Sequence, residues 1–196
     1  MKILIACEKS QAICKAFRAR GHEAFSCDIL PCSMFDYPQY HIIGDAITEA
    51  YSGKYDAMIA HPPCPKMSGC SARWMYKGGV LNEERLKEAM NAKEFFMALY
   101  AAPIEKIAVE NPTPLKIVGL PKESQVIQPF EYGHPFSKRT LLWLKGFPNL
   151  MPTNILTEYT PFMQSGAKGA ELSKVRGESR SETFAGIAAA MAQQWG

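Results

Sequence analysis

Tyr55-Asp56-Ala57-Met58-Ile59-Ala60-His61-Pro62-Pro63-Cys64-Pro65 decides the fold. An apolar run ends abruptly in a histidine and a proline-rich turn, and proline fixes φ and cannot extend a hydrogen-bonded ladder. The run predicts a buried strand, and the prolines a rigid loop that holds the Cys64 thiol in one place at the strand's end. Other apolar runs stop in the same way. Lys2 to Cys7 is followed by Ser10, then by Ile13, Ala16, Phe17 and Ala19 at helical spacing, and closes at Gly21. That order reads as strand, loop, helix and glycine stop. His22 to Ile29 predicts a strand ending in Cys27-Asp28, His41 to Ile43 leads into Gly44-Asp45, and Ile104 to Val109 predicts a strand that stops at Glu110-Asn111-Pro112. In a parallel sheet such ends share one edge, where open α/β folds place their ligands.

Between these strands, Pro65 to Gly79 has no sustained period and predicts an irregular loop over the strand ends. Asn82 is a good N-cap, Glu83 and Glu84 suit the helix dipole, and Leu86, Met90, Phe95, Phe96 and Leu99 give the helix an apolar stripe. Gln125 to Pro129 and Thr140 to Leu144 predict two more strands, antiparallel across the turn at Gly133 to Lys138. Ser181 to Trp195 predicts a final helix with Phe184, Ile187, Ala188 and Met191 inward. Pro148 to Arg180 is rich in Pro, Gly, Ser and Thr and predicts no element of its own. The expected architecture is α/β, a mostly parallel sheet with helices on both faces, in a single compact domain over 1–196 with an irregular basic loop at about 148–180.

A chain of 196 residues with 47% hydrophobic and 21% charged residues suits one folded domain and is too apolar for disorder. The first residues turn polar too early for a signal peptide or a membrane span, so a cytoplasmic protein with no membrane partner is expected. The net charge of +3 permits an anionic partner without demanding one. Cysteines at 7, 14, 27, 32, 64 and 70 form no CxxC pair and no zinc-ligand pattern, which predicts reduced thiols and no metal.

Two strand-end groups carry chemistry. Cys64 is a candidate nucleophile, and Glu110 a carboxyl group that should face solvent or hold a polar ligand. Together they suit attack of a thiolate on C6 of a cytosine ring, which makes C5 electron-rich, while a protonated carboxyl bonds N3 and offsets the developing charge. The thiolate needs a cationic environment, for which Lys138 and Arg139 are candidates; alternatively they hold a phosphate. Plainer alternatives stand beside each: Cys64 as a small buried hydrophobe, Glu110-Asn111-Pro112 as an ordinary turn, and Lys138-Arg139 as a solvated one.

These residues resemble the cytosine-C5 DNA methyltransferase family, in the compact form found in phages and prophages. Pro63-Cys64 resembles its nucleophile loop, Glu110-Asn111 its base-contacting Glu-Asn-Val motif with Pro112 in third place, and Ser137-Lys138-Arg139 a reduced Gln-x-Arg-x-Arg strand. The resemblance implies a Rossmann-like fold and S-adenosylmethionine as methyl donor. It implies a donor pocket at the loop Ala6 to Ser10, with Cys7 and Glu8 in it and Ile29 and Pro62 along it, Asp28 on the ribose hydroxyls and Asp45 on the adenine amino group. Pro63 and Asn111 fall with the substrate, and the final helix, beginning near Thr183-Phe184-Ala185-Gly186, returns beside the donor. The likeness covers residues 2 to about 147 and 180 to 195.

Two departures stand out. The loop Ala6-Cys7-Glu8-Lys9-Ser10 lacks the glycines that let a backbone approach a cofactor, and Glu8 is a candidate for holding the methionine ammonium group instead. The stretch from Pro148 to Arg180 is also far shorter than the family's target-recognition domain. It carries Lys168, Lys174, Arg176 and Arg180 against Glu171 and Glu178, either a loop that follows a phosphate backbone or an ordinary exposed one. Trp74 and Tyr76 either stack on an extruded or single-stranded base or cover the core. DNA, duplex or single-stranded, is therefore the expected partner. The alternatives are a free deoxycytidine nucleotide as substrate, or a non-catalytic phage protein that binds a host protein.

Overall fold

The computed structural model describes residues 1–33, 37–162 and 182–196. The strands are β1 (Lys2–Ala6), β2 (Glu23–Asp28), β3 (His41–Ile43), β4 (Ala57–Ala60), β5 (Tyr76–Lys77), β6 (Val80–Leu81), β7 (Lys106–Pro112), β8 (Gln125–Ile127), β9 (Phe136–Ser137), β10 (Thr140–Lys145) and β11 (Thr160–Pro161). The helices are α1 (Ala12–Ala19), α2 (Ala46–Ala50), α3 (Ala72–Met75), α4 (Glu83–Tyr100) and α5 (Ala185–Trp195).

Seven strands make one sheet in the order β3-β2-β1-β4-β7-β10-β8. The pairs from β3 through β7 are parallel, and β10 runs antiparallel to both β7 and β8. Successive side chains of a strand alternate between faces, and the core divides accordingly. Ile3 and Ile5 join Ile13 and Phe17 of α1 and Ile187, Met191 and Trp195 of α5 on one face. Leu4, Met58 and Ala60 join Ala46 and Ala50 of α2 and Ala89, Phe96 and Leu99 of α4 on the other. The result is a mixed α/β fold with helices on both faces of the sheet. Since β1 has β2 on one side and β4 on the other, the chain leaves these neighbours in opposite directions and opens a crevice at their carboxyl ends.

Asn82 caps α4 as its sequence predicts, with Oδ1 accepting from the Arg85 amide at 3.2 Å. Its inward stripe uses Ala89, fully buried, whereas Met90 is only half-buried. The strands expected at Gln125 and Thr140 are adjacent and antiparallel as read, with β10 between β7 and β8. Three other details differ from the sequence reading. β7 does not stop at Val109 but runs through Glu110, Asn111 and Pro112, because β10 supplies partners for all three, Leu142, Leu141 and Thr140. The stretch after Pro65 is not wholly irregular: it forms α3 and the β5-β6 hairpin, turned by Gly78 and Gly79 at φ 59° and 83°. Helix α5 begins at Ala185 rather than Ser181, since Phe184 is extended and packs on His134, Phe136 and Phe162. Within the expected irregular stretch from Pro148, the described part contains β11, paired with β9. No helix among the described residues is long and apolar enough to cross a membrane.

Candidate active site at the carboxyl edge of the sheet

The crevice holds a cavity of about 450 Å³ walled by the loops after four parallel strands. Cys7, Glu8, Lys9 and Ser10 follow β1, Asp28, Ile29 and Leu30 come from β2 and its end, Gly44 and Asp45 follow β3, and His61 and Pro63 follow β4. Phe95 of α4 and Thr183 complete it. Five of the residues expected around a donor, Cys7, Glu8, Asp28, Ile29 and Asp45, thus share one cavity. Ala6 and Pro62 do not line it: Ala6 is fully buried in the ladder of β1, and Pro62 is buried with its carbonyl engaged elsewhere. His61, Leu30 and Phe95 were not singled out by the sequence as part of such a wall.

The loop after β1 achieves without glycine what glycine usually provides. Cys7 and Gln11 both sit at φ 59°, in the left-handed region that costs a residue with a Cβ about 1–3 kcal/mol. Two buried side chains hold them there. Glu8 Oε1 accepts from the Ile13 amide at 2.7 Å and Oε2 from the Cys14 amide at 3.3 Å, capping α1 from outside the helix. Gln11 Nε2 donates to Ser26 Oγ at 3.2 Å and to the Tyr37 carbonyl at 3.1 Å. Both Glu8 oxygens are therefore committed to α1, which makes the residue an organiser of the loop and not a ready ligand for an ammonium group. Burial pushes the Glu8 carboxyl above its ordinary value, opposed by the nearby charge of His61 and by these amides. Burial, with Asp28, Cys27 and Asp45 adding to it, pushes the Cys7 thiol up to about 12, so Cys7 is a neutral thiol.

The two aspartates each spend one oxygen locally. Asp28 Oδ1 accepts from the Leu30 amide at 2.9 Å. Asp45 Oδ2 accepts from the Thr48 hydroxyl at 2.7 Å and its amide at 2.8 Å, bonds that hold the carboxyl below its usual range and cap α2. Beside them Ile29 is 75% exposed and Leu30 52%, apolar side chains that line a largely apolar cavity.

Cys64 lies next to Pro63, half-buried. Its loop is tied to the end of β7 from several sides. Asn111 Nδ2 donates to the Pro62 carbonyl at 2.9 Å, and the backbone amides of Leu115 and Gly69 bond Met67 and Thr113 at 2.7 and 2.9 Å. The Cys64 carbonyl itself accepts from the Met67 and Ser68 amides. Glu110, the neighbour of Asn111 on β7, meets a partner the sequence did not pair with it: His61 Nδ1 donates to its Oε2 at 3.0 Å. The two side chains are 11% and 20% exposed. Burial alone would raise the Glu110 carboxyl, but the His61 hydrogen bond and charge, aided by Lys138, outweigh it and hold the group below its ordinary value.

Lys138 and Arg139 part company. Lys138 acts on Glu110, with Nζ also 5.8 Å from the ring centres of Phe162 and Phe184. Arg139 pairs with Glu123 at 3.3 Å and lines a second cleft with Lys116 and Lys122, away from the cavity wall. Trp74 does not cover the core: it is 54% exposed on α3, with the Arg73 guanidinium 4.8 Å over its ring, and Tyr76 is exposed beside it. Lys168, Lys174 and Arg176 lie outside the described residues. Among the described residues no cluster of three His, Cys, Asp or Glu side chains is arranged to hold a metal ion.

Fold and site define a mixed α/β protein with a ligand cavity at the carboxyl edge of its sheet and a thiol and a carboxylate beside it. No family model and no curated protein sequence matches the chain. Among solved structures it is similar to a protein assigned as a DNA modification methyltransferase encoded within an E. coli prophage, at 12% identity over 79% of this chain and 51% of that one, with a TM-score of 0.48. It is also similar to a mutant of Spodoptera frugiperda DNMT2, at 12% identity over 83% of this chain and 55% of that one, with a TM-score of 0.37. The chain spans about half the length of each.

Proposed function

We propose that the protein transfers a methyl group from S-adenosylmethionine to C5 of cytosine in DNA. One observation carries the reading: the 2.9 Å bond from Asn111 Nδ2 to the Pro62 carbonyl joins the Cys64 loop to the strand that bears Glu110, while Pro63 of the same loop walls the cavity. These contacts support reading thiol, carboxylate and cavity as one site.

The residues present fit the donor. Asp28 and Asp45 offer carboxylates for ribose hydroxyls and an adenine amino group, and Ile29, Leu30 and Phe95 offer an apolar wall for the ring. When bound, S-adenosylmethionine supplies an electrophilic methyl group. The Cys64 thiolate bonds C6 of the cytosine, the ring's electron pair moves toward C5, and Glu110 gives N3 a proton that offsets the charge; after transfer, water takes the C5 proton as the sulfur–C6 bond breaks. Exposed Trp74 and Tyr76, beyond the Cys64 loop, suit stacking against a base drawn out of a duplex.

The test is a trapping experiment with duplex DNA, single-stranded DNA and deoxycytidine nucleotide, each carrying 5-fluorocytosine. Fluorine at C5 cannot leave as a proton does, so the Cys64 adduct should persist after methyl transfer and be read by mass spectrometry, and Cys64→Ser should abolish it. Adduct on the free nucleotide alone would move the substrate from DNA to the nucleotide. Neither adduct nor methylated cytosine on any of the three would refute the reading.

A further inference from the structure

His61 reaches both halves of the site. Its Nδ1 donates to Glu110 Oε2 at 3.0 Å, and its side chain lines the cavity where a donor would lie. Its Nε2 is buried and has no hydrogen-bond partner. The backbone amide of His61 bonds the Ala6 carbonyl at 2.9 Å, which fixes the start of the loop against β1. The charged groups that act on the His61–Glu110 pair are Glu8 from the loop after β1 and Lys138 from the turn before β10. Glu8 is close enough to His61 for the two groups to interact electrostatically, and the hydrogen bond from His61 Nδ1 holds the Glu110 carboxyl ionised. Glu110 thus lacks the proton that its part in the proposed reaction requires, and its hydrogen bond with His61 Nδ1 is a direct route for one.

We propose that His61 is the positioning residue of this site, holding the Glu110 carboxylate in orientation and carrying, one hydrogen bond away, the proton that Glu110 delivers to the ring. The proposal rests on the cytosine reading for the identity of the acceptor. As the sulfur of Cys64 bonds C6 and the ring electron pair moves to C5, N3 takes a proton from Glu110, and Glu110 takes the Nδ1 proton of the imidazolium, leaving a neutral imidazole. When water takes the C5 proton, the C5–C6 double bond re-forms, the sulfur–C6 bond breaks, and the proton returns from N3 through Glu110 to His61, so the pair ends as it began.

The variant to make is His61→Asn, which keeps an amide donor within reach of Glu110 but cannot carry a proton. If it does not fold, His61→Gln serves the same purpose. The first readout needs no activity: the carboxyl carbon of Glu110, assigned against Glu110→Gln, is followed by NMR through an acid titration. With the imidazole gone and burial unchanged, the Glu110 midpoint should move up. An unmoved midpoint overturns the proposal. The second readout is methyl transfer across pH, where kcat should fall about 10²-fold in His61→Asn and the pH profile should change shape. A wild-type kcat and profile in the variant overturns the proposal whatever the titration gives. If the wild-type chain methylates nothing, the cytosine reading falls, and the titration still decides whether His61 is the proton partner of Glu110.

Discussion

Asn111→Ala removes one of the two side-chain bonds described between the Cys64 loop and β7, leaving the other, His61 to Glu110, in place. Asn111 is 1% exposed, and its Nδ2 donates to the Pro62 carbonyl at 2.9 Å. Without it a buried carbonyl loses its partner, which costs about 1–3 kcal/mol. Part of that is returned, because Asn111 Oδ1 is already buried without a partner and disappears with the side chain. A net loss of about 1–2 kcal/mol follows, and for a chain of this size it lowers Tm by roughly 2–8 °C. Thermal unfolding by circular dichroism, with urea unfolding for the free energy, measures it. Asn111→Asp separates the hydrogen bond from the volume. An ionised carboxylate at position 111 would face the Pro62 carbonyl as a second acceptor, so this variant should be less stable than Asn111→Ala at neutral pH. Burial raises its folded pKa above the unfolded value, so the deficit should shrink as pH falls through the folded value and the carboxyl regains a donor. Adduct formation at Cys64 should slow in both variants. A Tm within about 1 °C of wild type for Asn111→Ala, with adduct formation unchanged, would refute the reasoning.

Glu110 is held below its ordinary value of 4.5, so its pairing stabilises the fold above that pH and the contribution is lost as pH falls through the lowered value; Glu110→Gln should flatten the acid limb of a urea-midpoint profile there. Asp28→Ala and Asp45→Ala should each weaken calorimetric binding of S-adenosylmethionine. Only Asp45→Ala should also cost about 1 kcal/mol in unfolding experiments, because it alone removes the cap of α2. In timed iodoacetamide labelling at pH 8, read by peptide mass spectrometry, Cys7, Cys14 and Cys27 should lag behind Cys64. Burial raises the first two to about 12 and the third to about 11.

The strand ends were legible because prolines and short polar turns interrupt apolar runs at Ala60, and because Asn82, Glu83 and Glu84 mark a helix start in their own local chemistry. Convergence of Cys7, Asp28 and Asp45 on one cavity follows from the parallel order of their strands. What stayed hidden depends on distant partners. His61 and Glu110 are 49 residues apart, and nothing in either segment marks the other as its hydrogen-bond partner. The extension of β7 through Pro112 is set by β10, which returns to it only after β8. Glu8 reads as a loop acid with a ligand to find, whereas its oxygens turn back on the first amides of α1. Lys138 and Arg139 are adjacent in the chain yet serve different surroundings, a divergence that composition cannot express.

The left-handed Cys7 and Gln11 have a consequence for how a ligand arrives. A glycine-rich loop in that position wanders among many conformations and must give up that freedom on binding. Here the choice has already been made during folding, by Glu8 on two helix amides and Gln11 on Ser26 and Tyr37. A ligand entering the cavity meets a finished floor, so little ordering entropy is lost there. Association should accordingly proceed in a single kinetic phase, without a slow loop rearrangement after the encounter.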